Sequence, residues 1–446
     1  MVDSSVYRSF LKLSAVNIVS NFLVPLASLV DTAFLGRWAA VEDLAGVALA
    51  TVLFNYLYWT FGFLRMGTTG QTAQAIGRGD DREAAVILVR YCLVGLGVGL
   101  LLVLVQGPIG WLGFEALRGS ESVELAGQAY YHSRIWGSPA TLMNFVLWGW
   151  LLGRAEARGV LLLSALANGG NGVLDYAFVV VLGWGSGGAG WATTVSQYLT
   201  LIIGLIWVFQ RGIGVFWADR AFWQQVREPA AIARAFALNR DIVIRTFALV
   251  SVFALFVNFS AIIGAKTNQE TDLLAASALL LQGVTLSAYF VDGLAFATES
   301  LVGQLAGQDN RQGMRQLLTW GIAWGLLCSG IFALILTLFP QVFLLLTDHA
   351  AVLTLAQSLR GWLWPVLVIG SVAYLLDGYW LGLTQGALLR RSALIASGLF
   401  FLPLALLAMV GGQVWLLWLA LVGFMVGRVV TLGWPIVAEA VSGVPD

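Results

Sequence analysis

Gly149-Trp150-Leu151-Leu152-Gly153 recurs as Gly378-Tyr379-Trp380-Leu381-Gly382, 229 positions further on. The same offset carries Asp43-Leu44 onto Asp272-Leu273. It also carries Phe61, Thr69, Asp80 and Arg82 onto Phe290, Thr298, Asp309 and Arg311. One such match is weak, but one offset recurring in three separate places marks an internal duplication of the kind that builds many transporters. The chain therefore reads as two copies of one unit, and the nature of that unit decides the fold.

The unit is a membrane-spanning one. Hydrophobic residues make up 59% of the chain and charged residues 11%, and mean hydropathy is +0.84. A soluble domain carries about 25% charge, so a soluble reading fails. A formal net charge of zero argues against a nucleic-acid binder. Twelve apolar stretches approach the ~20 residues that a helix needs to cross a bilayer. They run over 10–36, 44–76, 84–110, 125–152, 159–183, 187–209, 241–264, 273–305, 314–342, 352–383, 392–410 and 413–438. The first is too long for a signal-peptide core and lacks a cleavage pattern, so it reads as a span. Six spans per copy is an even number, so both copies share one orientation. The expected fold is an all-α membrane protein of two six-helix bundles, related by a pseudo-two-fold axis along the membrane normal.

Loop charge orients the chain. With the N-terminus cytoplasmic, fifteen Arg and Lys residues, from Arg8 and Lys12 to Arg390 and Arg391, fall inside. Only Arg37, Arg118 and Lys266 fall outside. Both termini are then cytoplasmic. Residues 1–210 form the N-terminal bundle and 241–446 the C-terminal one. Between them, 211–240 holds five arginines, five aromatic residues and Pro229, and reads as a cytoplasmic, partly amphipathic linker on an anionic leaflet.

Five carboxylates interrupt these spans: Asp31, Asp175, Asp292, Glu299 and Asp377. An acid in hydrocarbon costs roughly 2.5–3.5 kcal/mol on insertion scales and is a functional candidate by default. Asn168, Asn171 and Asp175 share one face of span five at helical spacing. They offer oxygen ligands suited to H⁺ or Na⁺ rather than to a transition metal, or else packing hydrogen bonds between helices. Thr193, Thr194 and Ser196 on span six add hydroxyls. Asp31 is either such a ligand or an acid neutralised by Arg37. Asp292 and Glu299 share a face of span eight, and Arg245 in span seven is placed to pair with one of the C-terminal acids.

Other groups read as structural. Asp43 and Asp272 precede apolar helical runs, as N-caps do. Arg65, Arg90, Arg134, Arg360 and Arg428 are further basic groups within spans or near their ends, some of which are expected to snorkel to the surface. Cys92 and Cys328 read as small core residues, and His132 and His349 are too scattered for a metal centre. Tyr58, Trp59, Phe61, Trp148 and Phe290 fall within spans, where they pack the core or line a cavity for an aromatic or cationic guest.

Leu29-Val30-Asp31-Thr32-Ala33-Phe34-Leu35-Gly36 in span one, set in a twofold six-span chain, resembles the multidrug and toxic compound extrusion (MATE) transporters. Val291-Asp292-Gly293-Leu294-Ala295-Phe296-Ala297-Thr298-Glu299 and Ile244-Arg245-Thr246 resemble its DinF-like branch. The resemblance implies a secondary active antiporter, not an enzyme. It would export organic, cationic or amphipathic small molecules in exchange for H⁺ or Na⁺. It also implies an ion-coupling cluster of Asp31, Asn171, Asp175 and Thr194. Asn168, Arg245, Asp292, Glu299 and Asp377 remain as substrate-cavity or second-lobe candidates. No cofactor is expected, and no metal beyond Na⁺ at Asp31, Asn171 and Asp175. The expected setting is a monomer among the lipids of a bacterial plasma membrane, with no nucleic-acid partner. Pro25 is the expected bend of span one. A lipid-linked oligosaccharide flippase of the same superfamily is the alternative, and would favour a strongly cationic cavity for a pyrophosphate.

Overall fold

The structure is a computed structural model that describes residues 4–117, 119–267, 270–345, 347 and 349–442. Arg118, expected on the outer side, lies outside them. Among the described residues every regular element is helical. That is the outcome a bilayer enforces, because lipid offers no partner to an open backbone. Twelve segments follow the twelve expected spans: α1 (Ser4–Trp38), α2 (Val41–Gly77), α3 (Asp81–Leu104), α4 (121–153), α5 (157–181), α6 (Gly185–Phe209), α7 (Pro229–Lys266), α8 (Glu270–Gly307), α9 (Arg311–Leu338), α10 (Ala350–Gly382), α11 (Gly386–Gly411) and α12 (Val414–Ser442).

Ten of these are long enough and apolar enough to cross a membrane by length and composition alone. The other two, α4 and α5, are broken by irregular turns, as α10 is at Arg360–Trp362 and α11 at Ala396–Phe401. In α4, a 3₁₀ turn at Ile135–Gly137 separates Glu121–Arg134 from Ser138–Gly153. In α5, wide π turns at Ala165–Gly169 and Tyr176–Val181 bracket one short α-helical piece, Gly170–Asp175. By contrast, α1 runs helical through Pro25, although that residue has no N–H to offer the carbonyl of Asn21.

The chain groups into two compact units. One comprises Ala15–Phe236 with Gly303–Asp309, and the other Met1–Ser14, Ala237–Val302 and Asn310–Asp446. Residues 211–236 thus belong to the first unit. Arg82 pairs with Asp219 at 2.6 Å, and the Arg90 guanidinium donates to the carbonyls of Gln225 (2.7 Å) and Val226 (3.2 Å). Phe222 and Val226 are buried there. In the second unit, Trp418 meets Phe256 edge-on at 4.9 Å within a core that includes Leu421 and Phe424. The Lys266 ammonium donates to the carbonyl of Met409 (2.7 Å), satisfying an acceptor in the last turn of α11.

The duplication shows in the backbone. A Cβ on Gly149 would stand 2.5 Å from the carbonyl oxygen of Arg65, and a Cβ on Gly378 would stand 2.5 Å from that of Ala295. Each glycine is the point where α4 meets α2, or α10 meets α8, with nothing between the backbones. The equivalence slips by one residue after α2 and α8. Asp80 caps α3 by accepting from the N–H of Glu83, whereas Asn310, not Asp309, caps α9 by accepting from Gly313, both at 2.8 Å. Asp309 instead takes the left-handed position that Gly79 holds in the first copy, with φ values of 54° and 75°.

The N-cap reading of Asp43 and Asp272 is corrected. Helix α2 begins at Val41, before Asp43. Asp43 reaches across to accept the N–H of Ser186 at 2.9 Å, so it caps the start of α6, a neighbour in space. Asp272 lies inside the first turn of α8 rather than ahead of it.

Candidate ion-coupling site

The site grows from the short α-helical piece of α5. Asn171 and Asp175 are one turn apart within it, and the Asn171 amide donates to Oδ2 of Asp175. From α6, the Thr193 hydroxyl is shared between the carbonyl of Ala189 (3.1 Å) and Oδ1 of Asn171 (3.4 Å). From α1, Asp31 brings its carboxyl within side-chain hydrogen-bond reach of Asp175. Asp175 is only 1% exposed, and Oδ1 of Asp31 and Oδ1 of Asp175 are buried with no donor from the protein. A buried carboxylate oxygen without a donor is costly unless a proton or cation completes it.

Two predicted members lie apart from this contact. The Asn168 amide turns back onto the carbonyl of Ser164 (2.9 Å). Asn168 sits in the first π turn, whose extra residue per turn shifts the helical phase before Asn171. The Thr194 hydroxyl donates to the carbonyls of Ser133 (2.8 Å) and Arg134 (3.3 Å), and Ser196 to that of Ala167 (3.1 Å). These carbonyls lie at the 3₁₀ break of α4 and in the π turn of α5. Hydroxyls of α6 therefore satisfy acceptors that irregular helices leave open in a medium without water.

The basic group that acts on Asp31 is Arg134, not Arg37. The sequence places Arg134 only among the basic groups within spans or near their ends. One signal was present: Tyr130 precedes it by one helical turn, and Phe54 and Tyr58 form a second pair at that spacing.

The second unit holds a different cluster. Asp377 on α10 accepts with one oxygen, Oδ2, from both Arg245 of α7 and Arg428 of α12. Arg428 is 2% exposed, and its guanidinium carbon lies 5.3 Å from the Tyr374 ring and 5.8 Å from that of Phe424. Asp292 is near enough to act electrostatically on Arg428. Glu299 is fully buried on the same helix as Asp292. The ion pair weighed for Arg245 is thus formed with Asp377, and a second arginine closes that acid. No charged member of either cluster recurs at the 229-residue offset: Asp31, Arg134 and Asp175 correspond in sequence to Ser260, Leu363 and Leu404.

A duplicated twelve-helix chain with one acid pair in its first unit is the architecture of a membrane transporter. The MatE family model matches residues 17–177 and again 242–407, once in each copy. The chain belongs to the MatE family. It is 37% identical to DNA damage-inducible protein F of Escherichia coli (strain K12), over 93% of this chain and 88% of that one. It is 24% identical to the probable multidrug resistance protein NorM of Acinetobacter baylyi, over 81% and 78%. Among solved structures, a multidrug resistance MATE family transporter in an outward-facing conformation superposes with a TM-score of 0.83 at 20% identity. It covers 98% of this chain and 96% of that one, which shows a shared fold.

Proposed function

We propose that the chain is a secondary active antiporter of the bacterial plasma membrane. It exports organic, cationic or amphipathic compounds in exchange for inward H⁺ or Na⁺, as a monomer with both termini cytoplasmic. The observation that carries the reading is the facing pair Asp31 and Asp175, each with one buried oxygen that no protein donor satisfies. Two carboxylates within hydrogen-bond reach of each other repel strongly in a low-dielectric interior when both are ionised, so occupation by H⁺ or Na⁺ and the emptied state favour different packings of α1 against α5. A gradient that loads the pair from one side and unloads it on the other biases those packings in turn. The Acinetobacter relative, named for multidrug resistance, supports the class of cargo.

The flippase alternative needs unengaged cations for a pyrophosphate. The buried arginines of the second unit both bind Asp377, which favours the antiporter.

The test is transport of ethidium, a fluorescent aromatic monocation, by the full chain in proteoliposomes under an imposed H⁺ or Na⁺ gradient. Wild type moves ethidium against its concentration difference. Asp31→Asn and Asp175→Asn elute as folded protein and do not. Gradient-driven ethidium transport by both variants at the wild-type rate would remove the pair from the mechanism.

A further inference from the structure

We propose that residues 209–227 form a docking surface for anionic phospholipid, with Val215 and Trp217 among the lipid chains and Arg220 and Arg227 on lipid phosphates. Composition marks this stretch as basic and aromatic. The structure sorts it into an inner face that is fastened down and an outer face that is not.

The inner face is held by the first unit. Helix α6 ends at Phe209, and Gly212, at φ 84°, turns the chain through the left-handed conformation that glycine adopts without strain. Beyond that turn Ile213, Phe222 and Val226 are buried. Ion pairs fasten the same stretch: Arg211 with Glu156 at 2.9 Å, and Asp219 with Arg82 at 2.6 Å. Arg90 donates to the carbonyls of Gln225 and Val226, satisfying acceptors at the end of the short helix Arg220–Val226. Arg82 and Arg90 both stand near the start of α3, so the stretch lies along the first ~12 Å of a membrane-spanning helix.

The outer face is different in kind. Ile202, Ile206 and Phe209 form one exposed apolar stripe along α6, and the stretch prolongs it. Val215 is 79% exposed and Trp217 45%. Trp217 is nevertheless fixed. Its ring lies 4.9 Å from that of Phe209 and 6.2 Å from that of Trp223, and its carbonyl accepts from Nε1 of Trp223 at 3.0 Å. An indole held in place by packing yet left open suits the headgroup level of a bilayer, where Trp is enriched. Arg220 and Arg227 are exposed beside it in the chain, and no acid pairs with either among the described residues. Asp219 is taken by Arg82. Glu228 stands at the N-terminus of α7, where its carbonyl accepts from Ile232 and its carboxylate meets the positive end of the helix.

Charge complementarity selects the occupant. The stretch offers apolar surface continuous with a spanning helix together with two guanidiniums that the protein leaves unanswered. A planar fork of donors matches a phosphate. In a zwitterionic lipid the headgroup's own ammonium already answers that phosphate. In an anionic lipid nothing does, so the surface takes phosphatidylglycerol in preference to phosphatidylcholine. Docking of this kind does not depend on the antiport reading.

The test has two arms. In the first, the full chain in detergent is titrated with phosphatidylglycerol or phosphatidylcholine, and bound lipid is counted by native mass spectrometry. Wild type is expected to prefer phosphatidylglycerol. Arg220→Gln and Arg227→Gln, both changes of exposed side chains, should each lose about fivefold in that affinity, the worth of one arginine at an anionic surface. Phosphatidylcholine binding should stay as in wild type. Excess inorganic phosphate should leave lipid binding unchanged. Equal affinity for the two lipids, unaltered phosphatidylglycerol affinity in both variants, or displacement by inorganic phosphate overturns the proposal. In the second arm, Val215→Cys labelled with bimane, in a chain carrying Cys92→Ala and Cys328→Ala, is placed in nanodiscs containing phosphatidylglycerol. Quenching by lipids with a spin label on the acyl chain is expected. A bimane that stays in water, as it would if a soluble protein covers this face, also overturns the proposal. If the cysteine-free chain does not fold, the first arm decides alone.

Discussion

Thr384 stands 229 positions after Ala155, and both hold the left-handed backbone conformation, with φ of 56° and 54°. Around each, the same bonds close the turn. The N–H groups of Ala155 and Glu156 donate to Leu152 and Leu151, and those of Thr384 and Gln385 donate to Leu381 and Trp380. This is the helix-ending motif in which a C′ residue normally glycine satisfies the last carbonyls. A residue with a Cβ costs about 1–2 kcal/mol in that conformation. Ala155→Gly and Thr384→Gly are therefore expected to raise the thermal midpoint in detergent. The gain is expected to be larger at Thr384, whose β-branch adds to the crowding. A fall at both sites would show that the turns carry no strain.

The close approaches at Gly149 and Gly378 predict the opposite sign. A side chain at either position must push a carbonyl away from 2.5 Å. Gly149→Val and Gly378→Val should each lose about 1–3 kcal/mol or more, in the range of overpacked cores. Thermal unfolding in one detergent checks this, and a midpoint unchanged at both sites would contradict the contact.

The two threonines of α6 separate site from scaffold. Thr193→Val removes the hydroxyl facing Asn171 and should weaken ion-coupled ethidium transport by up to about tenfold, the worth of one hydrogen bond. Thr194→Val leaves the Ser133 carbonyl without its donor and should lower the thermal midpoint, while the ion dependence of the folded fraction stays as in wild type. The reverse pattern would assign the site to Thr194.

Asp377 is expected to serve stability rather than coupling. Asp377→Asn leaves two guanidiniums facing each other without their anion, a loss of about 3–5 kcal/mol for a broken buried pair. Ethidium transport per folded molecule should keep its dependence on the H⁺ or Na⁺ gradient. Loss of that dependence would place an ion site in the second unit.

Asp43 should behave as a cap. Asp43→Ala frees the N–H of Ser186 at the start of α6 and should cost about 1 kcal/mol, while Asp43→Asn should keep most of the stability. Equal losses in the two variants would point to charge rather than the hydrogen bond.

The helical class, the twelve spans, the duplication and the Asn171–Asp175 contact are legible in the sequence. Each of these is a local or periodic property. Apolar length, a constant offset and i,i+4 spacing hold whatever the neighbours do. Packing in three dimensions fixed that Asp31 meets Asp175, that Arg134 rather than Arg37 acts electrostatically on Asp31, and that Thr193 rather than Thr194 faces Asn171. It also decided that Asp377 takes two arginines and that Asp43 caps a helix other than its own. The period of a helix tells which residues share a face, but not which neighbour that face meets. In α5 two π turns reset even the period, so the phase from Asn168 to Asn171 was not legible in spacing alone.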